Sequence, residues 1–239
     1  MENSAIATFI TQRPSRAEVF LALEIDYSVV GSQTLAEVCK AKGISVNEVL
    51  KRIVDHDQRT RHTEEFDWSK STLRELVQHI EANHHQYLRT VLPKLFDQLQ
   101  GVAQLYGKEH PEILELQKLF GAFRFAVEAH LLSEEKVLFP TIVALESGEL
   151  QWQGDHSSSE EIKVRIREHD TSADDIKQMR QITNNFCAPD DTGESYRSVL
   201  DGLCQLEKDL HLHIHKENNI LFPRASQLAM EQLKAGSHH

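Results

Sequence analysis

The chain has 239 residues, of which 26 are basic and 37 acidic, giving a formal charge of −11. This acidic balance, with no basic block to offset it, argues against nucleic acid or an anionic membrane as a partner. Ten glycines and six prolines, with long stretches free of both, favour helices over strands. The cysteines are too far apart for a disulfide framework, and no apolar run could span a bilayer, so we expect a cytoplasmic protein.

Residues 15–56 carry short helical patterns, and these predict a small helical N-terminal subdomain over residues 1–57. Thr34 and Ser45 are suited to be N-caps of two of these helices. Gly31 and Gly43 are suited to the breaks between them. The pieces are too short to bury much surface alone, so we expect them to pack together as one compact unit.

A polar segment at 58–70 predicts a linker, and the remaining residues, 71–236, predict an up-down four-helix bundle. Pro93, Pro140 and Pro223 each remove one helical hydrogen bond, so the helices are expected to bend or stop there. The four long amphipathic patterns, separated by segments rich in turn formers, are 71–106, 111–147, 158–187 and 194–234.

Two stretches, HLLSEEKVLFP at 130–140 and HIHKENNILFP at 213–223, repeat one pattern. Each begins with a histidine, has a glutamate four residues later and closes with Leu-Phe-Pro. At about 100° per residue, both members of each pair fall within the apolar stripe of their helix. An ionised carboxylate in an apolar core is strongly unfavourable unless it is paired or bound to metal. The repeat therefore indicates a metal site better than it indicates packing.

The same projection sorts the other histidines by helix face. It places His169 on the apolar stripe of the third long helix, and His84 near the middle of the first, with His85 at its edge. Glu135 is expected to point away from the core, and Glu168 to flank the stripe as a hydrogen-bond acceptor for a ligand imidazole. The remaining histidines are predicted to face solvent or to cap helices: His56, His62, His79, His110, His156, His211 and His215.

One inward histidine from each long helix and two glutamates would supply four nitrogen and two carboxylate donors. If both carboxylates bridge, each of two metal ions receives two nitrogens and two oxygens and keeps room for a solvent-derived bridge. Structural zinc prefers a closed tetrahedron, often with thiolates. Mixed imidazole and carboxylate ligands with an open position suit non-haem iron, with manganese as the alternative. A ferritin-like site would need paired Glu-x-x-His motifs, whereas this chain has one such match, from Glu81 to His84.

The repeated pairs, the HHQYLRTVLPKL segment, the EHD at 168–170 and the closing ENNILFPRA resemble the iron–sulfur cluster repair di-iron proteins. This is the repair-of-iron-centres family, which has a haemerythrin-like domain. Haemerythrins proper usually end their ligand set with His-x-x-x-x-Asp, but Asn218 occupies that position here and Glu217 precedes it. The resemblance implies an all-α, four-helix haemerythrin-like bundle with a small N-terminal helical subdomain. The metal ligands that it implies are His85, His130, Glu134, His169, His213 and Glu217.

Two positions deserve comparison with that family. Matching the family's spacing to Leu92 and Pro93 implies His85 as the ligand, whereas periodicity alone favours His84. The family typically has a Cys-Cys pair after the Asp-Tyr of its N-terminal subdomain, where this chain has Ser28-Val29. The resemblance therefore implies no role for thiols at these two positions of this chain.

The resemblance implies a protein that repairs iron–sulfur clusters damaged by nitrosative or oxidative stress. Its cofactor would be two non-haem iron ions joined by an oxo or hydroxo bridge, at which nitric oxide is bound or reduced, or from which iron is donated. Nitric oxide or dioxygen would be the small ligand and damaged iron–sulfur proteins the partners of a monomer or dimer. Two alternatives stay open: a haemerythrin-type carrier or sensor without turnover, and a structural bundle whose inward polar groups pair with one another.

Overall fold

The computed structural model describes residues 1–60, 66–150 and 157–236. These residues form an all-α helical bundle, and an isolated antiparallel bridge between Ala5 and Thr34 is the one β-type pairing among them. The α-helices are α1 (Ile6–Gln12), α2 (Ala17–Leu21), α3 (Leu35–Lys42), α4 (Val46–Arg59), α5 (Leu73–His79), α6 (Gln86–Tyr106), α7 (Glu112–Ser133), α8 (Phe139–Ser147), α9 (Ser157–Ile182), α10 (Glu194–Lys216) and α11 (Phe222–Gly236).

The chain divides into two compact units. The described residues of Met1–Val77, Leu145–Gln153 and His211–His239 form the first, and those of Gln78–Ala144 and Gly154–Leu210 form the second. Helices α5, α8 and α10 each begin in one unit and end in the other. No helix among the described residues has both the length and the apolar run that crossing a membrane would require.

In the first unit, α1 to α4 surround an apolar core built from residues such as Phe9, Phe20 and Tyr27. The prediction of Thr34 as an N-cap is confirmed, since Thr34 and Glu37 exchange reciprocal capping hydrogen bonds at the start of α3. Gly43 ends α3 with φ of 67°, as expected of a glycine break. Ser45 precedes α4 without a side-chain capping bond, and α1 was not predicted from the sequence.

In the second unit, α7 packs against both α6 and α9. Helix α10 approaches α6 closely at Gly202, where an added Cβ would lie 2.5 Å from Leu95 Cδ2. The atom that it would meet is the end of the Leu95 side chain, so a larger residue at position 202 would require Leu95 to shift. The buried apolar residues of this unit include Leu88, Leu92, Leu116, Phe120, Phe123, Val127, Leu203 and Leu206.

Three π-helical segments interrupt the long helices, at Ile80–His85, Glu134–Leu138 and Glu217–Leu221. In the latter two, the N–H of the following phenylalanine bonds to a glutamate carbonyl five residues back. Pro140 and Pro223 then stand at the second position of α8 and α11, where the missing N–H is tolerated. The helices were expected to bend or stop at these prolines, and what the structure shows is a change from α-helical to π-helical hydrogen bonding just before them. Helix α6 runs through Pro93 without ending.

The third long helix ends earlier than its sequence pattern predicts. Helix α9 ends at Ile182, and the three residues Asn184–Phe186 all have positive φ, between 48° and 62°. Asparagine tolerates this conformation, whereas phenylalanine rarely adopts it. The Thr183 hydroxyl accepts the Phe186 N–H at 3.1 Å and helps to hold the turn. Part of the predicted 58–70 linker lies outside the described residues.

Candidate metal centre

Three residues of the predicted ligand set come together in the second unit: His130 and Glu134 from successive turns, and His169 from α9. Each offers one ligand atom, and these atoms lie within 4.8 Å of one another. The Nε2 atoms of His130 and His169 are 3.0 Å apart, and His130 Nε2 is 3.2 Å from Glu134 Oε2. His85 adds a third imidazole, whose Nε2 is 3.5 Å from the same oxygen. A His/Glu cluster that could hold a metal ion is therefore buried here.

The imidazole of His85 is fixed from its other side. Its Nδ1 lies 2.9 Å from Glu135 Oε1, and because an ionised carboxylate only accepts hydrogen bonds, the Nδ1–H must donate. Arg89 donates to Oε2 of the same carboxylate at 2.6 Å. Burial raises the pKa of Glu135, but hydrogen bonds from Arg89 and His85 outweigh it and bring the pKa below its usual value. With its proton on Nδ1, a neutral His85 turns its Nε2 lone pair toward Glu134.

His130 has a matching arrangement. Its Nδ1 donates to Glu168 Oε2 at 2.8 Å, and the same oxygen lies 2.7 Å from Arg165 Nη1. The hydrogen bond from His130 lowers the pKa of Glu168 by more than burial raises it, and the charge of Arg165 lowers this pKa further. The expectation that Glu168 accepts a hydrogen bond from a candidate ligand imidazole is thus confirmed. Metal-binding histidines almost always donate their second N–H to such an acceptor.

Glu134 tests whether these residues suit a cation. Its side chain is fully buried, and neither carboxylate oxygen accepts a hydrogen bond from any described residue. A buried carboxylate without hydrogen bonds is strongly unfavourable. Two imidazoles whose Nδ1 protons are already engaged face it with Nε2. A cation between these donors satisfies all of them, so the residues fit a metal ion.

The other predicted pair, His213 and Glu217, lies in the first unit on adjacent turns. His213 Nε2 is 2.9 Å from Glu217 Oε1, and the two side chains are 1% and 0% exposed. The local structure repeats that of His130 and Glu134, because in both cases the glutamate opens a π-helical segment. The repeated sequence pattern therefore corresponds to a repeated backbone pattern.

The structure separates His84 from His85. His85 lies next to Glu134, whereas His84 Nδ1 lies 2.9 Å from Asp209 Oδ1. Both residues end the π-helical segment Ile80–His85. A π turn holds more than 3.6 residues, so a count at 100° per residue misplaces the side chains that follow it. This is why periodicity favours His84. The ring of His85 also stacks on Phe139, the phenylalanine of a Leu-Phe-Pro motif, with centroids 5.4 Å apart.

The prediction that His211 and His215 face solvent is wrong. Both are buried, with 8% and 2% exposure, because the N-terminal region of the same unit covers their face of the helix. His211 Nε2 lies 3.2 Å from Asp26 Oδ2, and His215 Nε2 lies 3.3 Å from Thr11 Oγ1. The ring of Tyr27 packs against both imidazoles.

Of the remaining histidines, those that the structure describes lie outside the cluster. His56 is buried at 4% exposure, contrary to prediction. His79 and His110 are half-buried, and His110 contacts Glu112. The predictions for His62 and His156 lie outside the described residues.

Ser28 and Val29 occupy the positions where the family resemblance led us to look for thiols. Ser28 is buried, and its hydroxyl donates to Asp26 Oδ1 at 2.5 Å. Val29 is 45% exposed. Neither side chain can ligate iron as a thiolate would.

Sequence reasoning missed the partners behind the imidazoles. Glu135 was expected to point away from the core, but it is hydrogen-bonded to His85. Arg89 and Arg165 belong to none of the motifs that were singled out in the sequence. Their spacing was a usable signal, since Arg89 follows His85 by four residues and Arg165 precedes Glu168 by three, which puts each pair on one helix face.

Comparison with known proteins gives a consistent family. The model of the hemerythrin HHE cation binding domain matches residues 76–225. The chain is 28% identical over 226 residues to the iron-sulfur cluster repair protein ScdA of Staphylococcus haemolyticus, covering 93% of this chain and 98% of the relative. It is 29% identical over 216 residues to a probable iron-sulfur cluster repair protein of Haemophilus influenzae, covering 88% and 91%. It is 28% identical over 212 residues to the iron-sulfur cluster repair protein YtfE of Citrobacter koseri, covering 89% and 91%.

The matched segment begins in α5 and ends in α11, so it contains every residue of the predicted ligand set. It also contains all three π-helical segments. The family binds metal cations, in agreement with the buried carboxylate of Glu134 and the imidazoles around it. The chain belongs to the hemerythrin HHE cation binding domain family.

Proposed function

We propose that the chain is a non-haem di-iron protein that repairs damaged iron–sulfur clusters. The residues that would hold the two iron ions are His85, His130, Glu134, His169, His213 and Glu217. One observation carries this proposal: the carboxylate of Glu134 is fully buried without a hydrogen bond, and it faces two imidazoles that are oriented by other carboxylates. The repeated local structure around Glu217 supports the same role for the second glutamate.

The donor set favours iron over zinc. It contains four imidazoles and two carboxylates, and no cysteine belongs to it. Structural zinc sites are closed tetrahedra, frequently with thiolates. Imidazole and carboxylate ligands with open positions are typical of non-haem iron. Manganese has similar preferences, so the metal must be identified by analysis of the bound ion.

The names of the relatives support cluster repair as the role. Two routes fit a di-iron centre: removal of nitric oxide and donation of iron to a damaged cluster. For the first, two ferrous ions would supply the two electrons with which two molecules of nitric oxide and two protons yield nitrous oxide and water. For the second, carboxylate ligands would let one iron leave without unfolding the site.

The chain's own residues would perform three tasks in either route. The carboxylates of Glu135 and Glu168 fix the imidazoles of His85 and His130 with their Nε2 lone pairs inward. Phe139 packs against the ring of His85 and keeps water from that side. The low exposure of the donor side chains provides the dry environment in which charge interactions are strong.

The test begins with anaerobic loading of the full chain with ferrous iron and quantitation of iron per chain. Nitric oxide is then added to the reduced protein, and nitrous oxide is measured in the headspace. We expect close to two irons per chain and one nitrous oxide per two nitric oxide molecules consumed. A second assay adds the loaded protein to an iron–sulfur enzyme whose cluster has been damaged by nitric oxide and follows recovery of cluster absorbance.

The alternatives give different results in the same experiments. A stable nitrosyl adduct without gas, and without cluster recovery, would indicate a carrier or sensor. Iron well below one per chain, with thermal unfolding unchanged by a chelator, would indicate a structural bundle. Glu134→Ala serves as the site variant, and Glu128→Ala, in the preceding helix α7 with a side chain that is 39% exposed, serves as its control.

A further inference from the structure

Arg89 and Arg165 stand behind the two carboxylates that orient the candidate ligand imidazoles. We infer that these arginines are positioning residues that anchor Glu135 and Glu168 and thereby set the metal affinity and reduction potential of the centre. The inference rests on the proposed function, because it assigns a role to residues that would act through the metal ligands. It names two His-Glu-Arg relays: His85–Glu135–Arg89 and His130–Glu168–Arg165.

The first relay divides its carboxylate between two donors. Glu135 Oε1 accepts from His85 Nδ1 at 2.9 Å, and Oε2 accepts from Arg89 at 2.6 Å. The side chain of Glu135 is 17% exposed, whereas that of Arg89 is 47% exposed. The carboxylate is therefore held at both oxygens, and the arginine reaches it from the surface.

In the second relay, both donors contact the same oxygen of the glutamate, and the arginine is more buried than the glutamate. Glu168 Oε2 lies 2.8 Å from His130 Nδ1 and 2.7 Å from Arg165 Nη1. Here the arginine is the buried member, at 9% exposed, and the glutamate is 42% exposed. Arg165 also lies 3.9 Å from Glu161. Without Arg165, the half-exposed Glu168 would be free to turn into solvent.

Two physical effects follow from these contacts. A carboxylate held by an arginine has fewer rotamers, so the imidazole bonded to it loses less entropy when it binds a metal. The arginine also offsets the negative charge of its carboxylate. Removing a positive charge near the metal favours the ferric over the ferrous state and lowers the reduction potential, whereas removing the carboxylate charge raises it.

The relays differ from the neighbouring ion pair of Arg124 with Glu128. That pair has the same chemistry, with Arg124 Nε 2.7 Å from Glu128 Oε1, and Arg124 also stacks over Phe96. No contact between this pair and a candidate ligand imidazole is seen among the described residues. Arg124→Gln is therefore a matched control for the loss of one positive charge.

The experiment loads the full chain with ferrous iron and measures affinity by chelator competition and potential by redox titration. Arg89→Gln and Arg165→Gln are each expected to weaken iron binding about tenfold and to lower the midpoint potential. Glu135→Gln is expected to shift the potential in the opposite direction. Arg89→Lys, which keeps the charge, should restore most of the potential. Arg124→Gln should change neither quantity.

The outcomes separate this inference from the proposed function. Iron binding by the parent with unchanged affinity and potential in both arginine variants would overturn the relays alone. An absence of iron binding by the parent would overturn the proposed function. In that case, nitrogen NMR of the metal-free protein still tests the relays, since loss of the Nδ1–H form of His85 in Arg89→Gln supports them and its retention overturns them. If Arg165→Gln does not fold, Arg165→Lys and the Arg89 variants decide.

Discussion

His211 and His215 lie on the same turns of α10 as His213, and all three are buried. Their partners distinguish them. His213 contacts Glu217, whereas His211 contacts Asp26 and His215 contacts Thr11, both from the N-terminal region. One face of the helix therefore presents a candidate metal ligand, and the other face packs against the N-terminal region.

Replacing His211 should affect stability and leave metal binding intact. His211→Ala removes a contact with the ionised carboxylate of Asp26, and hydrogen bonds to charged groups contribute about 1.5–3 kcal/mol. We expect the free energy of unfolding in urea to fall by about that amount, with unchanged iron per folded chain. Glu217→Gln is the contrasting variant, which should weaken iron binding at least about tenfold. Equal iron losses in the two variants would contradict the division of faces.

At the scale of helices and turns, the repeated His-x-x-x-Glu pattern was readable because it has two copies with the same spacing, and both copies fold alike. The choice between His84 and His85 was not readable from periodicity. A π-helical segment changes the number of residues per turn. No sequence pattern within Ile80–His85 indicates that this segment is π-helical. Similarly, the early end of α9 depends on residues with positive φ, which an amphipathic pattern does not reveal.

An ion pair joins α4 to the short 3₁₀ turn Pro14–Arg16. Arg16 donates to both oxygens of Asp57, at 3.0 Å and 2.7 Å, and these hydrogen bonds hold the pKa of Asp57 below its usual value. Because the folded pKa is the lower one, the pair stabilises the fold above about pH 3.9, the ordinary pKa of aspartate. Its contribution is lost as the pH falls through the folded pKa.

We therefore expect Asp57→Asn to lower the free energy of unfolding by about 1 kcal/mol at neutral pH. The difference from the parent should shrink as the pH is lowered, because the parent's Asp57 then becomes neutral as well. Urea unfolding followed by circular dichroism at several pH values measures this. Glu48→Gln, in the exposed pair with Arg52, is the control and should be nearly neutral. A pH-independent difference would argue against the ion pair as the cause.

For the molecule as a whole, the all-α class followed from composition and the long amphipathic patterns, and the structure confirms it. The covering of His211 and His215 could not be foreseen, because a helical projection shows only which face is apolar. It does not show that a polar face will meet Asp26, Tyr27 and Thr11 from a distant part of the chain. Only tertiary packing brings these side chains together.

Metal removal should destabilise the whole protein, since it would leave Glu134 buried without a partner. Thermal unfolding of the iron-loaded chain is compared before and after dialysis against a chelator. Free iron at about 100 times its dissociation constant would contribute about 2.7 kcal/mol to folding, so we expect a clear fall in the melting temperature. Glu134→Ala should show a much smaller fall on chelation. A parent insensitive to chelation would contradict the metal site.

The wide turn at Glu217–Leu221 has a consequence for how this family tolerates changes in length. Deleting Asn218 would let the backbone resume ordinary α-helical bonding, so helix content should persist. Because the wide turn holds one residue more than an α-helical turn, the deletion should leave α11 in nearly its present orientation relative to His213. Circular dichroism should report a helical chain, and calorimetry should show a cooperative transition close to that of the parent. Deleting Lys208, an exposed residue in the regular α-helical part of α10, would instead rotate everything after it by about 100°, so a gap of one residue would be a severe lesion there and a mild one at the wide turn.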